Sequence, residues 1–360
     1  MWLSRLWIED FRSYERAELT LSEGLTVVVG DNGTGKTNLI EAVAFALSLQ
    51  SFRHAGTDAL VRNGAERAIV RAELMVDERD LLVEIEIPSG RGSTRAQLNR
   101  QRLRRNADLA ELGGVTVFAP DDLTVIKGGP GERRRAVDDA IVAVRPRYEP
   151  RRRELRKILD QRNALLRRHR NALTPDVVVT LDVWDQRLGE AGERWAATRR
   201  AFLDELRPYL LDAHRTISGA ARELAVVYDP EWSHSGLPTA LAAARDDDVR
   251  RGVTTVGPHR DDIVITLDGL PTRTHASQGE QRSVALALRL AIHRLATALN
   301  DGAPVLLLDD VFSELDVDRG AALLAALPRG QVVLTTATPP PPSAHPDRTI
   351  SLTGDGIPGG

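Results

Sequence analysis

A chain of 360 residues, 42% of them apolar, is long enough for two domains or for one large domain carrying an insertion. It has no cysteine, which excludes disulfides and thiolate metal sites, and its net charge of −3 confines any polyanion-binding surface to a local patch. Aromatic residues make up only 4%, too few for an extended base-stacking platform. Arg5, Glu9, Asp10 and Arg12 leave no room for a signal-peptide core. No run of ~18 apolar residues occurs, so no membrane span or membrane partner is expected.

Residues 2–8 and 25–29 read as strands, with a turn at 22–24. The stretch Gly30-Asp31-Asn32-Gly33-Thr34-Gly35-Lys36-Thr37 follows, then a helix to about Gln50 marked by Leu39, Ile40, Val43, Ala44 and Leu47 at helical spacing. Strands are expected at 68–76 and 81–87, the second alternating with Glu84 and Glu86 outward. Residues 96–105 return as a further strand, and 115–118 form a buried one ending at Pro120. Gly128-Gly129-Pro130-Gly131 is a breaker cluster. From Glu132 to Arg170 the chain holds thirteen Arg and one Lys against six acidic residues. That tract reads equally as a phosphate-tracking surface and as a solvated helix face. After a turn at 171–175, a 3-4-3-4 stripe runs through Leu181, Trp184, Leu188, Ala191, Trp195, Thr198 and Phe202. It predicts a two-helix hairpin limited by Pro208, Gly219 and Pro230. Residues 263–267 form a strand. Ser277 and Glu280 form a capping box opening a helix that buries Val284, Leu288, Ala291, Ile292 and Leu295, with Arg282, Arg289 and Arg294 outside. Strands follow at 305–308, 332–336 and 350–352, with a stiff proline connector at 339–342.

The glycine-rich stretch fits G-x-x-x-x-G-K-[ST], set between a strand and a helix as a phosphate loop requires. Gly30, Gly33 and Gly35 let backbone N–H groups turn toward phosphate oxygens, and the helix start adds positive potential. Lys36 is expected at the β- and γ-phosphates, and Thr37 at Mg²⁺. The chain has three lysines in all, Lys36, Lys127 and Lys157, so a Lys at this position in an Arg-rich sequence is selective. The apolar run ending in Asp309 and Asp310 supplies the second half of the site. Asp309 is expected to hold Mg²⁺ with Thr37, and Asp310 to orient or deprotonate the attacking water. Most of the chain separates the two halves, so a large insertion lies between them.

Ser277-Gln278-Gly279-Glu280-Gln281 resembles the signature motif of ABC-type ATPases, and Ser313-Glu314-Leu315-Asp316 the D-loop that follows. Further blocks are Phe11-Arg12-Ser13-Tyr14, Ser51-Phe52-Arg53, 118–123, Glu132-Arg133-Arg134-Arg135, Gly257-Pro258-His259-Arg260-Asp261-Asp262 and 307–316. Together they resemble the RecF family of bacterial recombination-mediator ATPases, short relatives of the SMC heads. Glu280 stands where many members have Gln, and Asp121 where many have Glu. Thr335-Thr336 stands where transporters place a switch His.

The resemblance implies an α/β fold, an ABC-type (SMC/RecF-like) ATPase head of residues 1–130 plus 255–360. A mainly helical lobe, 131–254, is inserted, with the signature motif, 277–281, at the junction. It implies slow, switch-like ATP hydrolysis with Lys36 and Asp310 as catalytic residues. ATP contacts fall on Gly30 to Asn38, Arg12, Arg53, Ser277 and Gly279, and the metal ligands are Thr37 and Asp309. It also implies an ATP-dependent homodimer in which Ser277 closes over the partner's nucleotide. Duplex DNA beside a gap, recombinase loading, RecR and RecO as partners, and a cytoplasmic, nucleoid-associated location follow from the same resemblance. Two other classes are a transporter nucleotide-binding subunit, whose signature lies much closer to its phosphate loop, and a structural SMC-type clamp, which needs long heptad arms.

Overall fold

The computed structural model describes residues 1–53, 55–90, 92–103, 109, 112–170, 174–219, 222–300 and 302–353. The expected turn at 171–175 and the arginines 91, 104 and 105 fall wholly or partly outside them. The chain divides into two compact units. The first holds 1–122, 209–221 and 278–360, and the second 123–208 and 222–277.

In the first unit, β1 (Trp2–Phe11), β2 (Tyr14–Thr20), β4 (Arg67–Val76), β5 (Arg79–Pro88), β6 (Arg95–Leu98) and β7 (Gln101–Arg102) form an antiparallel sheet in the order β2-β1-β4-β5-β6-β7. Alternation sets its faces. Ala68, Val70, Ala72 and Leu74 point inward with Val83, Ile85 and Ile87. On the outer face Arg71 meets Glu84 at 3.4 Å, and Arg67 meets Glu86 at 3.5 Å, as cross-strand partners allow. The strand expected over 96–105 is a hairpin instead, because Asn99 and Arg100 both take positive φ, the geometry of a two-residue turn. The strand Tyr14–Thr20 lacks an apolar signature because it is an edge, held by pairing with β1 alone.

The second sheet of this unit is parallel, in the order β14-β3-β13-β12-β8: Arg348–Ser351, Leu25–Val29, Val332–Thr336, Val305–Leu308 and Val115–Phe118. Its central strands are buried throughout, hence their unbroken apolar runs. Helix α1 (Lys36–Ser48) belongs to one buried cluster with side chains of both sheets, among them Leu3, Val70, Leu39 and Val333. Gln331, 3% exposed, ties the sheets together, accepting from Leu3 N–H and donating to the carbonyls of Leu3 and Ser22.

The second unit holds α2 (Thr124–Lys127), α3 (Pro130–Val144), α4 (Glu149–Arg168), most of α5 (Pro175–Ser218), α6 (Leu237–Arg251) and α7 (Thr272–His275). It also contains a small antiparallel sheet of β9 (Leu224–Val227), β10 (Val264–Leu267) and β11 (Leu270–Pro271). The division therefore differs from the expected lobe of 131–254: residues 255–277 stay with this unit because β10 pairs with β9. Of the heptad stripe, Leu181, Leu188, Ala191, Trp195 and Phe202 are buried. Helix α5 does not stop at Pro208. Burial of Leu206 and Leu210 on either side offsets the one hydrogen bond the proline removes. Arg162, fully buried, joins three helices by donating to Asp185 and Asp248 at 2.6 Å each.

Back in the first unit, α8 (Gln278–Leu299) buries the expected apolar face, and α9 covers Val317–Ala326. Arg289 and Arg294 are not outside. They lie half-buried against Asp122 and Asp212. His293 on the same helix is 1% exposed, and neither ring nitrogen has a hydrogen-bond partner among the described residues.

Two consequences are testable. Arg162→Ala removes the buried counter-charge of Asp248 and one of the two arginines on Asp185, and should cost roughly 3–5 kcal/mol in urea unfolding. Burial lowers the His293 pKa from 6.5 to about 4. The unfolded chain therefore takes the proton first, and stability is lost as pH falls from about 6.5 toward 4, by on the order of 1 kcal/mol per pH unit. Unfolding midpoints at pH 7, 6 and 5 should show this slope added to that of His259, whose pKa burial also lowers to about 4, and His293→Leu should reduce the total by roughly half.

Candidate functional site

The loop after β3 starts where the Gly30 N–H reaches across to the Thr336 carbonyl at 3.2 Å. Gly33 and Gly35 take φ of 88° and 98°, a left-handed region closed to most residues. Gly35 is required twice over, because a Cβ there would meet the Tyr14 hydroxyl at 2.7 Å. Thr34 turns back onto the Asp31 carbonyl through both its N–H and its hydroxyl. Asp31, Asn32 and Gly33 are exposed. Lys36 is 6% exposed and curls into the loop, its ammonium donating to the carbonyls of Gly30 at 2.6 Å and Asp31 at 2.8 Å. Phosphate oxygens are stronger acceptors than these carbonyls, so the ammonium is placed to transfer to them.

The second half lies at the end of β12. Strand β13 lies between β3 and β12. The Thr37 hydroxyl nevertheless donates to Asp309 Oδ2 at 2.8 Å. Asp309 is 1% exposed, and its other oxygen accepts from Thr335 at 2.7 Å. Burial pushes the Asp309 carboxyl above its usual range. The hydroxyls of Thr335 and Thr37 oppose that shift, Asp310 adds to it, and Lys36 opposes it. A desolvated carboxylate beside a hydroxyl is a hard oxygen pair that suits Mg²⁺, which binds through one or two protein oxygens and completes its shell with phosphate and water.

Asp310 follows in the left-handed region at φ 48°. Its N–H donates to Thr335 Oγ1 at 3.0 Å, and its Oδ1 is buried with no hydrogen-bond partner among the described residues. Beside it is a cavity of about 20 Å³ lined by Phe118, Pro120, Arg282, Leu286 and Val311.

Arg12 and Arg53 come together through a residue the sequence did not single out. Glu41, fully buried in α1, accepts both ends of a bidentate pair from Arg12 at 2.8 Å, and the Ser51 hydroxyl at 2.5 Å. Arg53 lies 3.7 Å from the same carboxylate and donates to Asn38 at 3.3 Å. An acidic residue amid the apolar run of α1 was the available signal. Asn38 in turn donates to Ser13 at 2.9 Å, which links the first turn of α1 to the strand-to-strand turn after β1.

Ser277 and Gly279 lie on either side of the boundary between the two units. Ser277 is exposed, and the division between units falls just after it. Gly279 opens α8 so close to Arg319 that a Cβ would meet its guanidinium at 2.4 Å. His259 lies in the second unit, in contact with the Thr254 carbonyl at 3.0 Å, and burial lowers its pKa to about 4.

Residues 2–339 match the family described as RecF/RecN/SMC N terminal domain. The chain is 42% identical over 351 residues to a DNA replication and repair protein RecF of Streptomyces avermitilis, covering 94% of this chain and 93% of that one. It is 40% identical over 391 residues to the protein of the same description from Kineococcus radiotolerans, covering all of both chains. Among solved structures it is similar to the recombination mediator protein RecF-ATPrS in RecFOR pathway, with TM-score 0.88, 26% identity and coverage of 99% and 97%. It is also similar in fold to an SmcHead bound to the C-winged helix domain of ScpA, with TM-score 0.59, 17% identity and coverage of 98% and 94%.

The two arginines on Glu41 should separate in a stability experiment. Glu41→Gln leaves Arg12 without its buried counter-charge and should lower urea stability by roughly 3–5 kcal/mol. Arg53→Met removes a longer and more exposed contact and should cost less than about 1 kcal/mol.

Proposed function

The chain belongs to the RecF family of the RecF/RecN/SMC proteins and has their ABC-type ATPase fold. From that premise we propose that it is an ATP-driven dimerisation switch of recombinational repair and replication. It would act on duplex DNA near single-strand gaps and promote recombinase loading, with RecR and RecO as partners. The observation that carries the reading is the contact between Thr37 and Asp309, which joins the phosphate loop to a buried carboxylate.

In this reading Lys36, the loop N–H groups and Thr37 hold the triphosphate. Thr37 and Asp309 hold Mg²⁺, which neutralises phosphate charge when bound. Asp310 orients the attacking water or takes its proton. Ser277, exposed at the mouth of α8, would complete the partner protomer's site, so hydrolysis is slow and opens the dimer.

The Arg-rich tract supports a phosphate-binding surface, because its members differ in their pairing. Arg133, Arg152 and Arg162 are held by carboxylates. Arg147, Arg151, Arg156, Lys157, Arg167 and Arg168 are exposed and have no ion pair among the described residues. Arg147 and Arg151 instead stack over Tyr148 at 5.3 and 5.0 Å. Such cations are free to displace counterions from a nucleic-acid backbone.

Sedimentation and duplex affinity, measured with ATP and with ADP across salt concentrations, test the proposal. The ATP-bound parent should dimerise and bind duplex with a log–log salt slope near −0.9 per phosphate neutralised. Lys36→Met should do neither, and Ser277→Arg should bind ATP yet stay monomeric. Binding that is insensitive to salt, or equal in all these states, would overturn the switch.

A further inference from the structure

Thr335 sits at the end of β13, fully buried, between the strand that leads into the phosphate loop and the strand that ends in Asp309. Its one hydroxyl makes two hydrogen bonds whose directions are not free. A carboxylate cannot donate, so the proton points to Asp309 Oδ1 at 2.7 Å. A peptide N–H cannot accept, so Asp310 N–H donates to the same oxygen at 3.0 Å. The Asp309 carboxylate is thereby gripped from both sides, by Thr37 on Oδ2 and Thr335 on Oδ1.

The second bond acts on Asp310. Asp310 stands at φ 48° and ψ 37°, a conformation that L-residues adopt at a cost. An anchored N–H at this residue fixes where the left-handed kink falls, and so the direction in which the side chain leaves the backbone. The carboxylate ends with Oδ1 buried and unpartnered beside the 20 Å³ cavity. A buried carboxylate oxygen left without a donor is costly, so it holds its place only if the backbone beneath it is pinned.

We propose that Thr335 is a positioning residue for hydrolysis: through one hydroxyl it sets the orientation of Asp310 relative to Asp309. The inference rests on the reading that Asp310 acts on the attacking water. Thr335 belongs to the pair Thr335-Thr336, which by resemblance stands where transporters place a switch His. Here the Thr335 side chain is turned inward, onto the Asp309 carboxylate and the Asp310 backbone N–H.

The test compares Thr335→Val, Thr335→Ser and Asp310→Asn. For each, ATP affinity, turnover and the lifetime of the ATP-closed dimer are measured in Mg²⁺, and thermal unfolding is followed without nucleotide. Valine keeps the shape and removes both bonds. It should lower kcat roughly 10- to 100-fold with little change in ATP affinity, and lengthen the dimer lifetime in proportion. Serine restores the hydroxyl and should return both to near the parent. Should the valine variant fail to fold, Thr335→Ala takes its place in the same comparison. Parent-like turnover by Thr335→Val with an inactive Asp310→Asn would overturn the positioning role alone. Parent-like turnover by Asp310→Asn would overturn the reading beneath it. Equal losses in the valine and serine variants, following thermal stability, would reduce Thr335 to a packing residue.

Discussion

The hydrogen bond between Thr37 and Asp309 is the constraint on which the first unit is arranged. It joins residues from opposite ends of the chain, across an intervening strand, within 2.8 Å. Such a contact tolerates little play, since one partner is a carboxylate removed from water. The parallel sheet provides the rigidity. Its central strands are buried on both faces, and their register brings Gly30, Thr335 and Asp309 to the same end. The antiparallel sheet and α1 share a single core with it, so the phosphate loop is held from behind as well as from the side.

The protein manages its many arginines by sorting them. A chain with 48 basic and 51 acidic residues could scatter its charges as surface pairs of small value. Several are instead drawn inside and paired with carboxylates. Arg162 bridges Asp185 and Asp248, Arg199 forms a two-pronged pair with Asp138, and Arg133 does the same with Asp262. Asp261, in the Gly-Pro-His-Arg-Asp-Asp block, accepts from Tyr228 at 2.6 Å and Trp232 at 2.7 Å. These networks hold the second unit together where its aromatic content is thin. They also consume carboxylates, so a weakly acidic chain still leaves unpaired cations on α4.

The same economy appears at the phosphate loop. Glu41 answers two arginines with one buried carboxylate, leaving one positive charge in excess beside Asn38. Next to a polyphosphate that surplus is favourable, and before one binds it is confined by Glu41 and Asn38 rather than left to wander.

The sequence by itself determined the family and the elements that flank the glycine-rich loop and Asp309. The strand before the loop, Lys36, Thr37, the apolar run into Asp309 and the buried face of α8 were all legible, because each depends on local spacing and apolar periodicity. Tertiary structure decided what depends on partners far away in the chain. Glu41 looked like an ordinary helix acid until Arg12 and Arg53 were folded onto it. Thr335 looked like the end of a strand until β13 was seated between β3 and β12. Pro208 was expected to end a helix, and burial on both sides carried the helix through it. The Arg tract was a run of predominantly positive charge in sequence, and the placement of carboxylates such as Asp262, Asp139, Glu205, Asp185 and Asp248 divided it into paired and free. Periodicity records which face of an element is buried. It does not record which polar group waits on the other side.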